Sequence, residues 1–165
     1  KDPESKYMGF YVHENLSIAP ISKIGADVST QEREPLDPLC EQQLYELLDY
    51  VEKKDYQVLF LDTPHNYNEL EAKRMNTMCD ILDEEGVDYL VCDIDEKYDF
   101  VKDFYNDGHV NYYGAEKFTP WFAQYLLSNY DLPDRRNDED CKQWYGAYDT
   151  IKNKVAELEK SAAAK

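Results

Sequence analysis

Leu39, Cys40, Leu44, Leu47, Leu48 and Val51 recur at the three-and-four spacing of an amphipathic helix. Asp37 and Pro38 precede them: a carboxylate that can cap free N–H groups, then a residue whose fixed φ suits the first helical position. Together they predict a helix over 38–54. Val58 to Leu61 then form an unbroken apolar run, as in a strand covered on both faces, closed by Pro64. Asn68, with Glu71 three residues on, has the form of a capping box. Ala72, Met75, Cys79 and Leu82 share the stripe that follows, and Gly86 suits its C-terminal cap. A second apolar run over 87–93 predicts another buried strand. Strand, helix and strand in succession make the βαβ unit of a parallel sheet, with a right-handed crossover expected.

The flanks are less regular. Tyr7 to Val12 reads as a short strand, and residues 13–35 as a loop long enough for a covering or functional segment. Residues 95–111 read as another loop. Ala115, Phe118, Phe122, Tyr125, Leu126 and Asn129 predict a helix from about 113 to 130 with Pro120 inside it, tolerated near a helix start and kinking beyond it. A last amphipathic helix is predicted from about 139 to 160, aligning Cys141, Trp144, Tyr145, Tyr148, Ile151, Val155 and Leu158. Aromatics at that spacing read as core or interface rather than as a ligand platform. The closing "EKSAAAK" reads as native helix or as an added tail. The expected fold class is α/β, in three layers, with ligands at the carboxyl ends of the strands. His65 in "DTPHNYN" and His109 in "DFYNDGHVN" both fall on such strand-end loops.

Composition narrows the function classes. With 165 residues, 42% of them hydrophobic, the chain can bury a domain-sized core. Its 15 tyrosines set it apart from disordered sequences. A formal net charge of −17 argues against nucleic acid and anionic membrane surfaces, which need a basic field. The plain reading of the acidity is solubility. No stretch of roughly 18 apolar residues is present, so direct membrane insertion is not expected, and no signal peptide is visible. Cys40, Cys79, Cys92 and Cys141 form no CxxC pair, so zinc spacing is absent. No metal or other cofactor is expected. The cysteines read as buried thiols, although their even number also permits two bridges. The carboxylates of "DIDEKYD" lack the glycine and the terminal glutamate of an EF-hand.

His109 is the candidate with the most informative neighbours. A general base needs one ring nitrogen toward a nucleophile and the other donating to an acceptor that fixes the tautomer. Asn106, three positions earlier, can accept that hydrogen bond but brings no charge. Asp103 and Asp107 are carboxylates nearby. Lys117 reads as a surface lysine. The alternative is a histidine that caps the following helix or packs on Tyr112 and Tyr113.

The segment "FYNDGHVNYYGAEKFT" resembles the last catalytic block of the SGNH (GDSL-like) hydrolase superfamily. It looks most like the bacterial cell-surface branch, with its DltD-like and alginate-acetylation-like proteins. That block reads Asp-x-x-His, then Leu or Val, Asn, a short gap and Gly-Ala before a helix. Here Asn106-x-x-His109 is followed by Val110, Asn111, Gly114 and Ala115. "VLFLDTP" and "VDYLVCDI" resemble the strands leading to it, so the likeness covers residues 38 to 130. It implies a flavodoxin-like SGNH fold present as a partial domain. Residues 1–135 would be its C-terminal part, and residues 136–165 an amphipathic helix packed on it. The implied chemistry is acyl-ester hydrolysis or transfer on an acylated carbohydrate or cell-wall polymer, outside the cytoplasm or at the cell surface. His109 would be the general base and Asn106 would replace the orienting aspartate, with Asp107 and Asn111 in support. Asp to Asn at that position costs a serine protease about 10⁴ in turnover, whereas an amide serves where the nucleophile is a thiolate.

The resemblance also requires a serine. Ser5, Ser17, Ser22 and Ser29 precede the first predicted helix, and Ser128 and Ser161 fall in or after late helices. None lies in a glycine-flanked strand-to-helix turn; Gly25 in "SKIGADVS" does not make one. The family's oxyanion glycine and asparagine are not assigned here; Asn66 is a loose candidate whose position does not match that block. The first residue is Lys1, not methionine, and the strand-like segments are fewer than the roughly five or six of an average sheet. The expectation is therefore a C-terminal half whose serine lies on another stretch of polypeptide. The expected partner is that N-terminal half or a membrane acyltransferase. The rival expectation is a non-catalytic SGNH-like module that binds or scaffolds.

Overall fold

A computed structural model of the protein describes residue 16 and residues 30–92, 97–99, 101–106 and 108–164, the Gln143 side chain excepted. The chain is α/β: among the described residues, helices accompany one parallel strand pair and one antiparallel pair. It divides into two compact units, residues 22–96 on the one hand and residues 97–165 with 1–21 on the other. The strand expected over 7–12 lies outside the described residues, as does most of the 13–35 loop.

In the first unit, α1 (Pro38–Lys54) starts where Asp37 and Pro38 place it. The Asp37 carboxylate accepts from the Leu39 N–H at 2.9 Å, and Asp55 closes the helix in the left-handed region at φ 53°. β1 (Leu59–Asp62) pairs in parallel with β2 (Asp88–Val91), Leu59 opposite Asp88 and Asp62 opposite Val91. Between them, α2 (Glu69–Glu84) opens on a complete capping box. Asn68 accepts from the Glu71 N–H at 3.0 Å, and the Glu71 carboxylate accepts from the Asn68 N–H at 2.8 Å. Gly86, at φ +67°, turns the chain after the helix in the region that only glycine enters without strain. Leu44 and Leu48 of α1 meet Ile81 and Leu82 of α2 in the core, with Phe60, Met78, Val87 and Tyr89 packed against them. The α1 stripe is wider than this core face, because Leu39, Cys40 and Leu47 are exposed.

An extended strap, residues 30–36, lies along α2. Its carbonyls are gripped by α2 side chains: Asn76 donates to Thr30 O at 2.8 Å and Glu32 O at 2.9 Å, Thr77 to Glu34 O at 2.8 Å, and Arg74 to Pro35 O at 3.3 Å. The Arg33 guanidinium forks onto both Asp80 oxygens at 2.8 Å and holds that carboxyl below its ordinary pKa. Lys73 sits between Glu32 at 2.6 Å and Glu69 at 2.7 Å.

In the second unit, β3 (Phe104–Asn106) and β4 (His109–Val110) form a small antiparallel hairpin, irregular between Phe104 and Asn106. Residues 95–111 are thus not all loop; strands this short leave no alternation to read. Phe104 is wholly buried, with Tyr98 edge-on at 6.1 Å. α3 (Tyr112–Asn129) runs through Pro120. Its stripe of Ala115, Phe118, Phe122, Tyr125 and Leu126 is half-buried, while Asn129 is exposed. The last predicted helix is interrupted: a 3₁₀ helix (Glu139–Trp144) and a turn precede α4 (Ala147–Ala163). Ile151 and Val155 are buried, with Leu16, Tyr112 and Leu158 packed on them. Trp144, Tyr145 and Tyr148 are instead about half exposed. A 3₁₀ helix turns about 120° per residue against about 100° in an α-helix, so the aromatic stripe loses phase with the apolar one.

All four cysteines are described, and no disulfide joins them. Cys92 is buried and Cys79 and Cys141 are partly so, but Cys40 is exposed, contrary to the reading of uniformly buried thiols. No described helix is long and apolar enough to cross a membrane.

Candidate active site

The hairpin β3–β4 sets the geometry of His109. Asn106 Oδ1 accepts from the Gly108 N–H at 3.0 Å and lies 3.0 Å from His109 Nδ1. A backbone N–H needs an acceptor, so the Gly108 bond fixes which end of the Asn106 amide faces the loop. The His109 Nδ1 facing the same oxygen must then carry its proton. In the neutral ring this leaves the Nε2 lone pair available, and Nε2 has no hydrogen-bond partner among the described residues. The ring is exposed, with Tyr105 alongside at 5.4 Å and a 30° tilt. This is the geometry of a proton acceptor whose tautomer is set by a neutral group.

The loop is pinned from beneath. Asn111 is buried, 4% exposed, and caps α3 by accepting from the Gly114 N–H at 3.1 Å. Its amide donates to Lys102 O at 2.7 Å and to Phe104 O at 3.4 Å, tying the helix start to the β3 side. Asp103, also buried, accepts from the Asp99 N–H at 2.7 Å and pairs with the Lys117 ammonium. Lys117 donates as well to Lys97 O at 3.3 Å. Asp103 is therefore paired with Lys117, and Lys117, exposed as expected of a surface lysine, is tied down by that pair. Gly114 allows the close approach of α3, since a Cβ there would stand 2.7 Å from the Val110 Cβ. Asp107 lies outside the described residues.

No family model, curated protein or solved structure matches this chain.

Of the serines, Ser128 accepts from Gln124 at 3.0 Å and Ser161 donates to Glu157 O at 2.9 Å, both within helices and neither bonded to His109. Ser5, Ser17, Ser22 and Ser29 lie outside the described residues. No group of three or more His, Cys, Asp or Glu side chains among the described residues converges on a metal-sized site.

The first unit holds a second histidine pair with the same three-residue spacing. Asp62 ends β1, and His65 Nδ1 lies 3.6 Å from its Oδ1, but the hydrogen bond goes to Thr63 O at 3.0 Å. The His65 ring lies 4.0 Å from the ring of Tyr67, tilted 56° to it, and Tyr67 is 8% exposed. The Tyr67 hydroxyl has no partner at hydrogen-bonding geometry. Burial first, and then the Asp62 carboxylate as the acceptor beside its hydroxyl, push the Tyr67 pKa well above its ordinary range. Burial likewise holds the Asp62 carboxyl above its ordinary value, against the pull of Tyr67 and His65. The D-x-x-H spacing of Asp62 and His65 is visible in the sequence; the burial of Tyr67 is not.

Proposed function

We propose that the chain is part of an SGNH-type esterase or O-acyltransferase. His109 is its general base, Asn106 orients the imidazole, and the attacking serine is supplied from outside this chain. The observation that supports the reading is the shared Asn106 oxygen. It holds both the Gly108 N–H and the His109 ring, and leaves Nε2 available to take a proton from a serine hydroxyl. Asn111 supports the loop rather than touching the imidazole. In this reading the β1–α2–β2 unit belongs to a three-layer, flavodoxin-like sheet. The substrate is an acylated carbohydrate or cell-wall polymer outside the cytoplasm, and the partner is an N-terminal half or a membrane acyltransferase.

The chemistry then follows acyl transfer. The serine oxygen attacks the ester carbonyl as Nε2 takes its proton, and the imidazolium returns that proton to the departing alkoxide. Water or an acceptor hydroxyl, deprotonated by the same Nε2, then attacks the acyl-enzyme and releases the serine. Asn106 is a neutral acceptor, so the imidazolium gains less stabilisation than beside a carboxylate.

The intact gene product, treated with a serine-reactive phosphonate and with p-nitrophenyl acetate, tests the reading. Labelling and turnover are expected, with a loss of about 10³-fold or more in His109→Ala and little change in His65→Ala. The isolated 165-residue chain is expected to be inactive. Absence of labelling, or labelling indifferent to His109→Ala, overturns the reading in favour of a binding module.

A further inference from the structure

Lys117 lies in the second turn of α3 and bonds to neither Asn106 nor His109, yet the hairpin that carries them is built on its partner. Asp103 stands just before β3, and all of its polar groups are engaged. Its N–H donates to Asp99 O at 2.8 Å, and its carbonyl accepts from the Asn111 N–H at 2.8 Å. Its carboxylate accepts from the Asp99 N–H at 2.7 Å and from the Lys117 ammonium. The bonds to Asp99 close the turn over 99–103. The bond to Asn111 closes the base of the hairpin, since residue 103 precedes β3 and residue 111 follows β4.

Charge keeps Asp103 in that place. The residue is 2% exposed, and a carboxylate so buried needs a cation beside it. Lys117 brings one in from a half-exposed side chain, with its ammonium 5.9 Å from the Tyr98 ring and donating also to Lys97 O at 3.3 Å. β3 and β4 are three and two residues long, too short to hold a hairpin by their own ladder. Their pairing depends on the closure between residues 103 and 111, and the Asn106 oxygen that holds both Gly108 and His109 depends on their pairing. Phe104 and Asn111 anchor the same base by apolar burial and by neutral hydrogen bonds. Asp103 differs from them: without its partner it is a buried, uncompensated charge and works against the fold.

We propose that Lys117, acting through Asp103, is a positioning residue for the His109 imidazole. With the ammonium gone, the Asp103 carboxylate turns out toward water and the closure between residues 103 and 111 opens. Asn106 Oδ1 then no longer meets Nδ1 while it accepts from Gly108, and the ring loses its fixed tautomer. The consequence for catalysis rests on the esterase reading: a ring of mixed tautomer, displaced from the serine, is a poor proton acceptor.

Nitrogen-15 NMR of the full chain, at about pH 8 where an ordinary imidazole is neutral, shows which ring nitrogen of His109 carries the proton. It needs neither nucleophile nor substrate. One hydrogen bond of ordinary worth biases two tautomers by about fivefold, and that excess of Nδ1–H is expected in the wild type. Lys117→Met should reduce it to about twofold or less, with the His65 tautomer unchanged. The double variant Lys117→Met/Asp103→Asn has no buried charge and keeps an acceptor for the Asp99 N–H, so it should restore the excess. Ile151→Val loosens the core of the same unit away from the hairpin and should leave the excess alone. Lys117→Gln takes the place of Lys117→Met if the latter does not fold. In the intact protein, Lys117→Met should lower kcat for p-nitrophenyl acetate by about tenfold or more at an unchanged KM. No excess of Nδ1–H in the wild type, an excess that survives the loss of Lys117, or an equal loss in Ile151→Val overturns the proposal. A tautomer that follows Lys117 in a protein without esterase turnover upholds the positioning role and overturns the esterase reading alone.

Discussion

Single residues carry the sharpest expectations. Asp62 has its pKa raised above the ordinary 3.8 by burial, so the folded state holds its proton more tightly than the unfolded chain does. Its favourable contribution is complete below the unfolded value and disappears as pH rises through the folded one. The groups that bear on it are His65, Tyr67 and Cys79. Asp62→Asn cannot ionise, so it should be more stable than the parent near about pH 7, and the gain should vanish near about pH 3, as read by urea unfolding at both. At the hairpin, Asn106→Asp keeps an acceptor for both Gly108 and His109 and adds charge. It should raise esterase turnover of the intact protein, where Asn106→Ala should lower it by about 10²-fold or more. A rate unchanged by either substitution would leave Asn106 as a turn residue alone.

At the scale of elements, the contrast between the units shows what could be read without coordinates. α1 matches its predicted bounds because its start rests on local chemistry, the Asp37 cap and Pro38, which needs no tertiary partner. The same holds for α2, whose capping box is complete. β3 and β4 escaped because they exist through Phe104 and the Asn106 turn, not through a pattern of their own. The Asn106–His109 contact was legible, since three residues around a tight turn bring the two side chains together. The Asp103–Lys117 pair was not, because it depends on how α3 returns across the loop. That return is testable. Gly114→Ala places a methyl against Val110 and the Asp103 backbone and should cost about 1–3 kcal/mol. Asn111→Ala removes a helix cap and the amide's bond to the Lys102 carbonyl, for about 2–3 kcal/mol. Denaturant midpoints measure both, and a neutral result at Gly114 would mean that α3 can move away from the hairpin.

For the whole molecule, charge and thiol access give the broadest checks. The ion pairs are mostly exposed and each is worth about 0–1 kcal/mol, whereas the net charge of −17 repels itself throughout the folded chain. Screening should therefore relieve more than it weakens, and the melting temperature should rise as sodium chloride goes from about 0.01 M to about 0.15 M. A falling melting temperature would show that the pairs dominate. Cys40 is exposed, Cys92 buried, and the Cys79 thiol is held protonated well above neutrality. A thiol reagent near neutral pH should modify Cys40 first and reach Cys92 only on unfolding. Mass mapping of the early product decides this.

The strap over α2 has a consequence of another kind. Asn76, Thr77 and Arg74 grasp oxygens that every amino acid carries, so most of the grip ignores the identity of the residues being held. Variation should accumulate freely at Glu34 and Pro35, while Asn76 and Thr77 are intolerant. The strap's own side chains enter the crossing through Arg33 on Asp80 and Glu32 on Lys73; the rest of its instructions are written on α2.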